Sequence, residues 1–103
     1  MNNQISLKVM AQIRAHVFVN GNVQGVFFRQ TTKQQADNKG VTGWIRNLRD
    51  ERVEAIFEGT EETVKEIVDF CRKGPKGAIV TNISVDWEPF KGEFKDFQIV
   101  YGG

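Results

Sequence analysis

Apolar and polar residues alternate along several stretches of the chain, and a period of two is typical of half-buried β-strands. In the first stretch, residues 13–20, every second residue from Ile13 to Val19 is apolar. The same pattern or short apolar runs bounded by turn residues recur four more times. The pattern therefore predicts strands at residues 13–20, 41–48, 52–59, 78–87 and 97–101.

Two other stretches have the spacing of an α-helix. Residues 28–39 carry a thin apolar stripe and end at Gly40, a residue suited to terminating a helix. Residues 60–73 begin at Thr60, a good N-cap residue, and have the stronger pattern. Their apolar side chains recur at i, i+3, i+4 and i+7, which predicts one buried face. That face consists of Val64, Ile67, Val68 and Cys71.

The order of elements is βαββαβ with a short final strand. Both helices need a sheet on which to bury their apolar faces, so we predict an α+β, ferredoxin-like two-layer sandwich. In this fold the two helices lie on one face of a mainly antiparallel sheet, and right-handed crossovers place the first and third strands centrally. A chain of 103 residues suffices for one domain. We assign residues 13–103 to that domain and residues 1–12 to an N-terminal arm outside the core.

Charge and composition exclude several classes of partner. The chain has 14 basic and 13 acidic residues, a balance that gives no reason to expect a nucleic-acid or membrane partner. With one cysteine and one histidine, it has no internal disulfide and almost no zinc ligands, so we expect no metal and no cofactor. The chain shows no apolar run of membrane-spanning length and no signal-peptide pattern, so we expect a cytoplasmic protein, and we expect it to be a monomer.

The polar faces of the strands carry ionisable side chains. His16 belongs to the polar face of the first strand, and Glu54 and Glu58 lie opposite the apolar face of the third. We expect His16 to be solvated rather than a catalytic base, because no carboxylate or nucleophile stands beside it in the sequence. Cys71, on the buried face of its helix, is expected to be a small core residue rather than a reactive thiol.

The segment from Val23 to Arg29 joins the first strand to the first helix through Gly25. A helix N-terminus has unpaired N–H groups and partial positive charge, and a glycine lets an anion approach the backbone closely. Arg29 adds a cation whose planar fork can hold two phosphate oxygens. These features indicate an anion site, although a plain strand-to-helix turn with a solvated arginine would leave the same local pattern.

Asn47 ends the second strand, immediately before a predicted tight turn at residues 49–51. Its neutral amide can accept a hydrogen bond from a water molecule and orient it without titrating. An asparagine at this place can equally serve only to start the turn.

Two motifs resemble those of the acylphosphatase family. Residues 21–29, GNVQGVFFR, closely resemble the first signature of that family, G-x-V-Q-G-V-x-F-R. The run GWIRN at residues 43–47, with Val53 and Gly59 downstream, resembles the second. Ile45 and Glu51 depart from the family pattern, which usually has a smaller residue and a glycine there. The resemblance extends from about Ile13 to Tyr101.

The resemblance implies a metal-independent hydrolase that cleaves the carboxyl–phosphate bond of acyl phosphates. It assigns Arg29 and Asn47 as catalytic residues, with Asn47 orienting the attacking water. Inorganic phosphate or sulfate would occupy the same site as the substrate phosphate. The implied phosphate-binding residues are Gln24, Gly25, Val26, Phe27, Phe28 and Arg29.

Two other functions compete with this hypothesis. Ferredoxin-like sheets also bind RNA through aromatic residues of their central strands, and residues 17–21 faintly resemble one such motif, but residues 52–58 lack the second aromatic pattern and carry two glutamates. The second competitor is an anion-binding domain without turnover. The presence of both Arg29 and Asn47 argues against it.

Overall fold

A computed structural model describes residues 10–101 of the chain. Most of the predicted arm (residues 1–9) and the end of the predicted domain (residues 102 and 103) lie outside the described part. The strands are β1 (Gln12–Asn22), β2 (Thr42–Asn47), β3 (Val53–Thr60), β4 (Ile79–Pro89) and β5 (Phe97–Ile99). The helices are α1 (Phe28–Lys39) and α2 (Glu61–Lys73).

The five strands form one sheet in the order β4-β1-β3-β2-β5. All neighbouring strands are antiparallel except β2 and β5, which run parallel. Helix α2 packs on β1, β3 and β4, and α1 packs on β2, β5 and α2. The α+β sandwich and the inner positions of β1 and β3 are therefore as predicted from the sequence.

The core lies between the sheet and the two helices. Phe57 of β3 stacks on Phe97 of β5, with ring centroids 5.6 Å apart. The thin stripe predicted for α1 is buried and consists of Phe28, Thr32 and Ala36. Cys71 is also fully buried, and burial raises the pKa of its thiol to about 12. The thiol is thus protonated at neutral pH, which agrees with its predicted role as a core residue.

The other face of the sheet is less exposed than its polar pattern predicts. Glu58 has no exposed surface. Its carboxylate accepts a hydrogen bond from Arg14, at 3.2 Å, and further bonds from the backbone N–H groups of Lys91 and Gly92. Residues after β4 therefore cover Glu58, and the pairing with Arg14 and two N–H groups is what makes burial of a carboxylate tolerable.

The prediction that His16 is simply solvated is wrong. Its Nε2 atom lies 2.6 Å from Glu54 Oε2, and Arg46 donates to the other oxygen of the same carboxylate at 2.8 Å. Burial works to raise the pKa of Glu54, but the hydrogen bonds from His16 and Arg46 outweigh it and hold that pKa below its ordinary value. The partners lie on three different strands, so adjacency in sequence could not reveal them.

The predicted alternation of β4 is also wrong at its beginning. The pairing with β1 runs regularly to Asn20 and Asn82, then jumps to Gly21 and Val80, so Thr81 is an extra residue. An extra residue inverts the alternation of all residues beyond it. As a result Val80 packs against the core, whereas Ile79, which strict alternation would place on the same face as Ile83, is 62% exposed.

The turn between β2 and β3 is closed by a hydrogen bond of 2.8 Å from Leu48 N–H to the Arg52 carbonyl. Glu51 closes it further by donating its N–H to the Leu48 carbonyl at 3.2 Å. Glu51 has a φ of 75°, in the left-handed region. Glu51, which stands where the acylphosphatase pattern usually has a glycine, thus places a Cβ where a glycine would be free of strain.

We expect Glu51→Gly to stabilise the fold by roughly 0.5–1 kcal/mol. A residue with a Cβ costs about 1–2 kcal/mol in the left-handed region, and the greater unfolded-state entropy of glycine offsets about 0.4–1 kcal/mol of the gain. Denaturant unfolding of both proteins measures the difference. The control is Arg49→Gly in the same turn, where φ is not positive and only the entropic cost applies. An unchanged or lower midpoint for Glu51→Gly would show that the strain is absent.

Candidate active site

The loop between β1 and α1 contains two left-handed residues in close succession. Gly25 has a φ of 75° and Phe27 a φ of 60°. A Cβ on Gly25 would meet no atom within 4 Å, so its backbone angle, and not crowding, favours glycine there. Phe28 begins α1 with its ring buried, which fixes the helix start against the core.

These turns leave a row of backbone donors. Within residues 10–101, none of the N–H groups from Gln24 to Phe28 donates to a backbone carbonyl outside the regular elements, and the N-cap residue Phe27 makes no side-chain cap bond. The start of α1 adds the partial positive charge of the helix dipole. The loop thus has the chemistry of an anion-binding cradle.

Arg29 lies in the first turn of α1 and is half-buried. Its guanidinium carbon lies 5.1 Å from the ring centroid of Tyr101, a distance typical of a cation–π contact. Tyr101 follows β5, whose parallel pairing with β2 matches Ile45 with Ile99. Strand β5 therefore brings the tyrosine towards the end of β2, where Asn47 lies.

Asn47 is the last residue of β2 and pairs with Val53 of β3. Its side-chain oxygen Oδ1 is buried, and among the described residues it has no hydrogen-bond partner. A buried acceptor without a partner is costly, so such an atom calls for a ligand or a water molecule.

One pocket of about 130 Å³ joins these features. It brings together the loop, the start of α1 and the end of β2, which are distant in sequence. Its lining residues are Val23, Gly25, Phe27, Phe28, Arg29, Gln30 and Asn47. The two predicted catalytic residues, Arg29 and Asn47, thus face the same small space.

A family model described as acylphosphatase matches residues 15–99. The chain belongs to the acylphosphatase family. The acylphosphatase of Pyrobaculum calidifontis is 53% identical over 89 residues, which cover 85% of this chain and 81% of the relative. The acylphosphatase of Pelotomaculum thermopropionicum is 50% identical over 92 residues, covering 89% and 100%.

A solved structure supports the same assignment. The crystal structure of acylphosphatase from Bacillus subtilis matches with a TM-score of 0.82 and 35% sequence identity, covering 86% of this chain and 99% of that one. The family matches confirm the predicted acylphosphatase family, fold class and enzyme class. The roles of single site residues remain predictions.

Two of the predicted phosphate-binding residues direct their side chains away from the pocket. The Gln24 amide donates to the carbonyls of Leu48 and Arg52 in the β2–β3 turn, and Val26 packs against the core. In this acylphosphatase-family site, Gln24 and Val26 can therefore offer an anion only their backbone N–H groups.

Sequence reasoning missed two features of the site. Phe27 is 73% exposed at the pocket rim and has a left-handed backbone conformation. The sequence carries no signal that a phenylalanine would adopt it. Tyr101 was assigned to the last strand, but β5 ends at Ile99 and the tyrosine lies beyond it against Arg29. The signal that could have found it is the parallel pairing of β5 with β2, which depends on the fold.

Three further features bear on the function of the described chain: groups that could bind a metal, a second cavity, and helices that could cross a membrane. Within residues 10–101, no group of three or more His, Cys, Asp and Glu side chains is arranged to hold a metal ion. A larger cavity of about 360 Å³ between the start of β1, the end of β4 and the start of α2 contains none of the predicted site residues. In the same part of the chain, no helix has the length and apolar character needed to cross a membrane.

Proposed function

We propose that this chain hydrolyses acyl phosphates to a carboxylate and inorganic phosphate at the pocket between Arg29 and Asn47. The observation that carries the proposal is the buried Oδ1 of Asn47, which has no hydrogen-bond partner within residues 10–101 and lies at the same pocket as Arg29 and the loop. A cation and backbone donors are suited to a phosphate, and a lone amide acceptor nearby is suited to a water molecule.

The phosphate group is bound by the N–H groups of residues 24–28 and by Arg29. Asn47 Oδ1 accepts a hydrogen bond from the attacking water and directs its oxygen towards phosphorus. As the new P–O bond forms, the bond between phosphorus and the carboxyl oxygen breaks, and the carboxylate leaves with the bonding electrons. The water proton passes to a phosphate oxygen, which becomes part of the inorganic phosphate product.

This chemistry does not require a strong base or a covalent intermediate. A carboxyl–phosphate anhydride has a good leaving group, so positioning and charge stabilisation can supply the needed acceleration. The thiol of Cys71 is buried and protonated in the core and takes no part. His16 is bound to Glu54 and does not line the pocket.

We expect hydrolysis of benzoyl phosphate that is insensitive to a chelator and competitively inhibited by inorganic phosphate or sulfate. The cradle supplies positive charge from Arg29 and the backbone, and we propose that neither a metal nor another cofactor takes part. Initial rates with and without the chelator, followed by addition of divalent ions, measure this. Loss of activity on chelation that a divalent ion restores would overturn the proposed mechanism.

The two competing functions predict different results. An anion-binding domain would bind phosphate without hydrolysing benzoyl phosphate. An RNA-binding module would show salt-dependent RNA affinity. On the sheet face opposite the helices, Phe18 lies under the guanidinium of Arg52 at 4.7 Å, and Glu54 occupies the neighbouring strand, so the structure gives the RNA hypothesis no added support. We further propose that the chain acts as a monomer in the cytoplasm, without a nucleic-acid or membrane partner.

A further inference from the structure

The side chain of Gln24 connects the two halves of the site. Its Nε2 atom donates to the carbonyl of Leu48 and to the carbonyl of Arg52, both at 2.9 Å. Both protons of the amide are therefore engaged. Gln24 precedes Gly25 in the phosphate loop, whereas its two acceptors belong to the turn that follows Asn47.

The two acceptors lie at the base of that turn, one on each side. Leu48 directly follows Asn47, and Arg52 directly precedes Val53, the partner of Asn47 in the sheet. The Arg52 carbonyl also accepts the N–H of Leu48 at 2.8 Å. The Gln24 amide thus bonds to both sides of the hairpin, next to Asn47 on one side and next to its partner Val53 on the other.

The rest of the hairpin does not fix Asn47 in this way. Asn47 forms the last pair of the β2–β3 ladder, and the turn beyond it contains the left-handed Glu51. Oδ1 of Asn47 has no protein partner among the described residues, so its own side chain is not held by a hydrogen bond there. The pairing of Val19 with Val53 holds the hairpin beside β1, and the two bonds from Gln24 are side-chain contacts that join the hairpin to the loop itself.

We propose that Gln24 is a positioning residue whose side-chain amide fixes the Asn47 hairpin relative to the phosphate loop, so that the water bound by Asn47 faces the phosphorus. The proposal rests on the proposed function and adds a role that the loop's backbone donors do not have. Only a side chain of this length with two N–H donors fits. A glutamate has the same shape but would bring carboxylate oxygens against two carbonyl oxygens.

The test is a double-mutant cycle on the kcat for benzoyl phosphate. We expect Gln24→Ala to lower kcat by about tenfold, because small misplacements of a reacting group are costly, while the inhibition constant of phosphate changes by less than about threefold. In the Asn47→Ala background, where there is no oriented water to lose, the same change should cost less than about twofold.

Further variants separate positioning from a general loss of structure. Gln24→Glu should lower kcat at least as much as Gln24→Ala. Gln34→Ala replaces an exposed glutamine of α1 and should leave kcat unchanged. If circular dichroism shows that Gln24→Ala is incompletely folded at the assay temperature, Gln24→Met, which fills the space without donors, takes its place in the cycle.

Multiplicative losses in the double variant would overturn the proposal, because they would mean that Gln24 acts independently of Asn47. Weaker phosphate inhibition with unchanged kcat would also overturn it, since Gln24 would then serve only the phosphate loop. Failure of the proposed function looks different, because the unsubstituted protein would then not hydrolyse benzoyl phosphate at all.

Discussion

Replacing Arg29 with alanine is expected to weaken the binding of inorganic phosphate by roughly 10- to 150-fold. A charge-assisted hydrogen bond to phosphate contributes about 1.5–3 kcal/mol, and Arg29 is the arginine that lines the pocket. Its contact with Tyr101 at 5.1 Å restrains the guanidinium, so part of the entropic cost of binding is already met before the ligand arrives. Calorimetric titration with phosphate measures the change.

Two variants serve as comparisons for Arg29→Ala. Arg29→Lys keeps the charge but loses the planar fork, so its phosphate affinity should lie between those of the unsubstituted protein and Arg29→Ala. Arg72→Ala removes a half-exposed arginine of α2, outside the pocket, and should leave phosphate affinity unchanged. Phosphate affinity near the original value in Arg29→Ala would contradict the assigned role.

Asn47→Ala should fail differently, with kcat lowered by about a hundredfold and phosphate affinity close to the original. The reason is that Asn47 Oδ1 is placed to hold the water and not the phosphate, so its loss affects the step in which water attacks. Steady-state kinetics with benzoyl phosphate, together with the inhibition constant of phosphate, separate the two effects.

The comparison for this variant is Asn38→Ala, which removes an exposed asparagine near the end of α1 and should leave kcat unchanged. An equal loss of phosphate affinity in Arg29→Ala and Asn47→Ala would contradict the division of roles between them. Asn47 would then be a binding residue like Arg29, and the orientation of water would need another group.

Features that depend on near neighbours were predictable from the sequence. Helix α1 has the predicted bounds, residues 28–39, because its apolar stripe and Gly40 are local signals. The Thr60 N-cap of α2 is present, with its hydroxyl accepting the Thr63 N–H. The positive φ of Glu51 also has a local cause, since a three-residue turn between strands typically imposes it on its last residue.

Part of the candidate site could be predicted for the same reason. Gly25 and Arg29 lie within five residues of each other, and the strand–turn–helix that carries them is set by local preferences. Asn47 was recognisable only by its place at the end of a strand and by the family motif. The spacing of residues could not show that it shares a pocket with Arg29.

The sequence by itself determined the order of the elements and the residue types of the loop before α1, because both depend on contacts between near neighbours. Only the tertiary structure decided what covers each strand face and which distant groups meet. His16 finds its partner, Glu54, on another strand. Glu58 finds part of its hydrogen bonding in the chain after β4, which covers it. Gln24 reaches the hairpin because β1 and β3 are adjacent. Alternation distinguishes the two faces of a strand, but burial and hydrogen-bond partners come from whatever packs against them.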